Sequence, residues 1–213
     1  MTVRILIGDA REKLAELEDE SVHCVVTSPP YYGLRDYGVA GQIGLESSPD
    51  EYVAALVAVF REVRRALRSD GTLWLNLGDS YAGGGRGGNP EESSFRKQAT
   101  NTGSVTGITK NKWPVPIGVK SKDLLGIPWM VALALRADGW WLRQDIIWSK
   151  PNPMPESVTD RCTRAHEYLF HLSKSSRYHY DASAISEPAA SNHPSGNGFK
   201  RDERLSYRDA NGG

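Results

Sequence analysis

The 213-residue sequence has only two cysteines, no net charge and no long apolar run. Each absence excludes something. Cys24 and Cys162 cannot build the multi-bridge framework of a small secreted domain. Cys24, inside an apolar run, reads as a small core residue. With 26 Lys and Arg against 26 Asp and Glu, the chain is not coated in basic charge, although a local basic patch stays open. No apolar stretch approaches the length of a membrane span, so no membrane partner is expected. The N-terminus, Met1-Thr2-Val3-Arg4-Ile5, leads straight into strand-like sequence rather than a secretory leader. No internal repeat is evident, and no metal site is expected. Together these absences point to a reducing, cytoplasmic setting. At 39% hydrophobic residues, the length suits one domain with a sizeable core.

What is present is an alternation of strand-like and helix-like segments, the mark of an α/β fold. Residues 3–7 are β-rich and close on Gly8-Asp9; residues 10–17 read as a short helix. Residues 22–26 are almost wholly apolar, as in a strand covered on both faces. A Gly-rich loop fills residues 33–47. Ser48-Pro49-Asp50-Glu51 then supplies an N-cap serine, a proline at the first helical position and a glutamate three residues after the cap. Val53, Leu56, Phe60, Val63 and Leu67 follow at helical spacing, with Asp70-Gly71 as the expected stop. Arg61, Arg64, Arg65 and Arg68 suit the helix C-terminal end and read as a solvated face. Further strands are expected at residues 72–77, 140–148 and 167–173, and a helix at 128–138 closed by Gly139. The main body is read as residues 1–181, with a polar segment at 182–213.

The most specific feature is Ser28-Pro29-Pro30-Tyr31, directly after the apolar run 22–26. Proline has no N–H and a fixed φ, so two in succession end a strand and make a stiff corner. In open α/β sheets, ligand clefts lie at that end of the strands. The corner offers the Ser28 hydroxyl, the Pro29 carbonyl and the Tyr31 ring. Two acceptors beside a stacking surface suit a planar ring that bears an exocyclic amine.

Thr27-Ser28-Pro29-Pro30-Tyr31-Tyr32-Gly33-Leu34 resembles motif IV of the DNA amino-methyltransferases, which methylate N4 of cytosine or N6 of adenine with S-adenosylmethionine. Other segments resemble the same family: Ile7-Gly8-Asp9-Ala10, then 71–79, 142–153 and His166-Glu167-Tyr168-Leu169-Phe170. The resemblance implies a Rossmann-like class I methyltransferase fold, with sheet order 3-2-1-4-5-7-6. The strands read above would be 3 to 7, and strands 1 and 2 find no counterpart. It implies catalytic roles for Ser28, Pro29, Pro30 and Tyr31, contact of Asp9 with the cofactor adenine, and double-stranded DNA as partner in a bacterium or phage-infected cell. The serine form is more often associated with cytosine N4, though serine occurs in both classes. Asp9 also reads as a helix N-cap.

The family's D-P-F-x-G-S-G turn, which holds the methionine and ribose of the cofactor, has no counterpart in this sequence. The resemblance therefore implies a missing C-terminal half, or a complementing chain. Residues 82–122 hold eight glycines and a charge of +5, seven basic residues against Glu91 and Glu92. Two readings apply: a flexible insertion with solvated lysines, or a DNA-facing arm using Lys110, Lys112, Lys120 and Lys122. Two other functions stand beside the methyltransferase: a DNA-binding relative without cofactor, and a Rossmann-like domain with a chance Ser-Pro-Pro-Tyr.

Overall fold

A computed structural model describes residues 3–83, 115, 118–153, 155–156 and 158–186. The chain divides into two compact units, Met1–His179 and Tyr180–Gly213. In the second, the described residues form a turn in which Asp181 accepts from the Ser183 N–H and hydroxyl and the Ala184 N–H.

The first unit runs α1 (Ala10–Ala15), β1 (Val22–Thr27), α2 (Pro49–Ala66), β2 (Leu67–Leu77), α3 (Ile127–Ala137), β3 (Trp141–Ser149) and β4 (His166–Ser173). The strands form one sheet in the order β1-β2-β4-β3. β1 and β2 are parallel; β4 inserts antiparallel between β2 and β3. That order is the 4-5-7-6 part of the arrangement implied by the resemblance.

Helix α2 begins as its residues dictate. Ser48 accepts from the Glu51 N–H at 3.2 Å, Pro49 occupies the first turn, and Glu51 reaches back to Ser47. Tyr52, Leu56, Phe60 and Val63 then fall on one buried stripe. In α3, Ile127, Val131, Ala132 and Leu135 do the same. Its first N–H groups are capped from a distance: Asp79 accepts from Gly126 N at 3.1 Å and Ile127 N at 3.0 Å. Strand alternation sends Leu73, Leu75 and Leu77 of β2, with Phe170 and Leu172 of β4, into the same core. The opposite face of the sheet carries Val26, Trp74, Trp148 and Leu169.

Four expectations are corrected. Residues 3–7 form no strand, and Val3, Ile5 and Ile7 are exposed. A β-rich segment becomes a strand only when its N–H and C=O groups find a neighbour. Among the described residues no strand pairs with the outer edge of β1. Nor is β1 covered on both faces: Val26 is 76% exposed. Cys24 is exposed too, rather than a core residue. Finally, α2 stops at Ala66 and β2 starts at once, so Asp70-Gly71 lies within the strand. There the register slips between Val22 and Cys24, and five residues of β2 bulge against two of β1. A side chain on Gly71 would meet the Arg68 and His23 carbonyl oxygens at 3.0 and 3.2 Å.

Candidate active site

The Ser-Pro-Pro-Tyr corner leaves the C-terminal end of β1, as the two prolines require. Tyr52 of α2, fully buried, donates its hydroxyl to the Pro30 carbonyl at 2.8 Å. The helix core thereby clamps the corner. Burial pushes the Tyr52 phenol far above its ordinary value, with the nearby Glu46 carboxylate adding to it. Tyr52→Phe leaves that carbonyl without its donor. We expect a loss of about 1–3 kcal/mol in urea unfolding, with an unchanged m-value.

Ser28 is exposed, and its hydroxyl makes only long contacts, 3.3 Å to the Tyr31 hydroxyl and 3.4 Å to Asn76 Oδ1. No described residue donates to the Pro29 carbonyl. Both groups are therefore free to accept from a ligand. Tyr31 is half-buried and firmly held. Its hydroxyl lies 2.7 Å from Asn76 Oδ1 and 3.0 Å from Glu167 Oε2, so its one proton is shared between two acceptors. Its ring lies against Gly78, where a Cβ would come within 2.5 Å of Tyr31 Cε2. Only glycine admits the ring there. Burial raises the Tyr31 phenol, and the Glu167 charge raises it further against the lowering effect of Ser28.

Asn76 and Glu167 were not anticipated as site residues. Asn76 projects from β2 between the core leucines; its Nδ2 donates to the Tyr168 carbonyl at 3.2 Å. A carbonyl can only accept, which turns Oδ1 toward the corner. Glu167, from β4, is ion-paired with Lys150, which follows β3. Partial burial pushes the Glu167 carboxyl up. Lys150 and the Tyr31 and Asn76 hydrogen bonds outweigh it, and the carboxyl titrates below its usual range. One signal was legible for Asn76: it stands between Leu75 and Leu77 in the apolar second half of β2. A cleft of about 700 Å³ opens beside them, lined by Ser28, Asn76, Glu167, Val26, Trp74 and Trp148 among others.

The remaining candidates lie elsewhere. Asp9 caps α1, accepting from Arg11 N at 2.8 Å, and pairs with the Arg11 guanidinium, which holds its carboxyl down at about 2. Its described contacts do not bring it to Ser28. Lys122 pairs with Asp160 at 2.7 Å and Lys120 lies 3.7 Å from Asp123, both lysines well exposed. Lys110, Lys112 and most of 82–122 lie outside the described residues. The ends of that segment are joined: Ala82 N donates to Asp123 O and Lys122 N to Ala82 O, each at 2.8 Å.

Known proteins resemble this chain over most of its length. Residues 22–201 match a family described as DNA methylase, of the N6 and N4 type. The Type II methyltransferase M.SmaI of Serratia marcescens is 52% identical over 187 residues, covering 88% of this chain and 61% of its own. M.Cfr9I of Citrobacter freundii is 52% identical over 180 residues, covering 84% and 57%. The chain thus spans about three fifths of the length of these relatives. Among solved structures, TTHA0409 of Thermus thermophilus, complexed with S-adenosyl-L-methionine, aligns with a TM-score of 0.52 at 25% identity, over 84% of this chain and 56% of its own. The cytosine-N4-specific PvuII DNA methyltransferase shares the fold at a TM-score of 0.55 and 19% identity, over 84% and 51%. With the strand order, the Ser-Pro-Pro-Tyr corner and these matches in agreement, the chain belongs to the DNA methylase family of the N6 and N4 type, built on a partial Rossmann-like class I methyltransferase fold.

Proposed function

We propose that this chain is the base-holding part of a Type II DNA methyltransferase that modifies an exocyclic amine, cytosine N4 in preference to adenine N6. The observation that carries this is the pair of free acceptors, Ser28 Oγ and the Pro29 carbonyl, beside the anchored ring of Tyr31. The relatives that match over most of this chain are Type II methyltransferases.

An exocyclic amine is a poor nucleophile, because its lone pair is delocalised into the ring. Ser28 Oγ and the Pro29 carbonyl would each accept a hydrogen bond from one of its N–H groups. That draws the nitrogen toward tetrahedral geometry and aims its lone pair out of the ring plane. Bound S-adenosyl-L-methionine supplies the methyl group, on an electrophilic sulfonium. As the N–C bond forms the methyl–sulfur bond breaks to leave a neutral thioether, and the nitrogen sheds one proton to solvent. Ser28 can give its own proton to the Tyr31 hydroxyl or to Asn76 Oδ1, which leaves its lone pairs for the base. Orientation of this kind is worth several kcal/mol, up to about 7–11 at the limit. The base must leave its stack to reach the corner, at a few kcal/mol, and the Tyr31 ring offers about 1–3 kcal/mol of stacking in return.

The fit of the cofactor to these residues is one-sided. The Ser28–Tyr31 corner is present, whereas the Asp9 carboxylate is engaged by Arg11, and the D-P-F-x-G-S-G turn has no counterpart in the sequence. We assign the rest of the cradle to a C-terminal segment or to a complementing chain; the relatives are longer than the part this chain matches. The open edge of β1, with Val26 exposed, is where further strands would pair. The lysines of 82–122 are assigned to DNA phosphates. The absent turn and the engaged Asp9 also suit a relative that binds DNA without cofactor, and methyl transfer by the joined chain separates the two readings.

The test joins this chain to the C-terminal part of the Serratia marcescens relative. DNA recovered from cells expressing this chimera should accept fewer labelled methyl groups in a second round than DNA from control cells. Equal acceptance would count against a DNA methyltransferase.

A further inference from the structure

Lys150 and Glu167 lie in segments singled out by sequence, yet the reaction described above gives them no task. They are the far end of a continuous chain of contacts: Lys150 to Glu167, Glu167 to the Tyr31 hydroxyl, and Tyr31 to Asn76 and Ser28. These residues come from four places in the sequence: the β1 corner, β2, the end of β3 and the start of β4. Their partial burial matters. Glu167 retains 20% of its side-chain exposure and Lys150 39%, so this is not a freely solvated surface pair.

We propose that Glu167, itself held by Lys150, is a positioning residue that fixes the Tyr31 phenol and thereby the position of the ring against which the target base stacks. This rests on the reading of the Ser28–Tyr31 corner as the seat of that base. The physical reason is that Gly78 meets the ring on one side only and cannot stop the whole side chain from swinging about its Cα–Cβ bond. The single hydroxyl proton has Asn76 Oδ1 as one acceptor and the charged Glu167 carboxylate as a second, from different strands, and the swing is opposed whichever of them takes it. Glu167 must keep its carboxylate turned toward Tyr31, and Lys150 takes its other oxygen. A ring fixed before the base arrives loses no further freedom on stacking, which is how preorganisation improves capture. The chain of contacts also couples the ring to Ser28 through the shared acceptor Asn76 Oδ1, so a displaced phenol would disturb the hydroxyl that receives the amine.

Two readouts test this. In the 213-residue chain with ¹³C-labelled tyrosine, the Tyr31 signal, identified by its loss in Tyr31→Phe, reports the phenol. The neutral pair Lys150→Met with Glu167→Gln removes the charge but keeps an acceptor for the hydroxyl. Tyr31 should titrate at lower pH there than in the parent chain. An unmoved titration would overturn the contact. In the chimera, Glu167→Ala and Tyr31→Phe should each lower the methyl-transfer rate at saturating DNA about tenfold to a hundredfold, and the neutral pair should lose clearly less than Glu167→Ala. If the neutral pair falls as far as Glu167→Ala, charge rather than position is at work, and the proposal fails. Should Glu167→Ala not fold, Tyr31→Phe, which removes one oxygen, carries the same test. Tyr31→Phe and Glu167→Ala at parent rates with an inactive Ser28→Ala would sink the positioning role alone. Ser28→Ala at the parent rate would sink the reading of the corner instead.

Discussion

In the chimera, Ser28→Ala should lower the methyl-transfer rate by about 10²–10³-fold, with little change in stability or in DNA affinity. The hydroxyl is exposed and makes only two long contacts, so the fold does not depend on it. Its proposed contribution appears when the amine moves toward tetrahedral geometry and needs an acceptor for its proton. An interaction made at that moment and not in the ground state acts on the rate rather than on binding. Steady-state kinetics with labelled S-adenosyl-L-methionine, at saturating DNA, measures it. A Ser28→Ala enzyme that turns over at the parent rate would remove Ser28 from the mechanism.

The second large effect concerns what the 213 residues do by themselves. Alone, the chain should bind S-adenosyl-L-methionine weakly or not at all, and should transfer no detectable methyl. Added to the C-terminal part of a relative, joined or as a separate chain, it should become active. The reasons are structural. A cofactor cradle in an open α/β sheet is built at the C-terminal ends of adjacent strands. Here β1 has an unpaired outer edge among the described residues, and residues 3–7 lie exposed instead of pairing in the sheet. Asp9, the one candidate for the adenine, already serves a helix cap and an arginine. Calorimetry decides: micromolar cofactor binding by the isolated chain would mean that the cradle is made from residues assigned here to loops.

Local sequence carried far in some places and not in others. The start of α2 was legible to the residue, because Ser48, Pro49 and Glu51 act on backbone groups within one turn. Helix α3, closed by Gly139, and strands β3 and β4 were legible from periodicity and composition. Residues 3–7 have a strand's composition and no strand, since composition does not supply a neighbour. Cys24 misled in the same way: an apolar run predicts burial only where both faces are covered. In the site, the corner was legible because prolines constrain themselves. The roles of Asn76 and Glu167 were not, because each depends on contact with Tyr31 across 45 and 136 residues of chain. Gly78 tells the same story, for its need to be glycine comes from the Tyr31 ring rather than from a turn.

The central claim is that this corner delivers a methyl group to an exocyclic nitrogen. The most direct measurement digests DNA methylated by the chimera to nucleosides and identifies the labelled one by chromatography and mass spectrometry. The account predicts N4-methyldeoxycytidine. N6-methyldeoxyadenosine would overturn the choice of base while leaving the amine chemistry in place; 5-methyldeoxycytidine would contradict the account, because carbon 5 offers no N–H for Ser28 and Pro29 to receive.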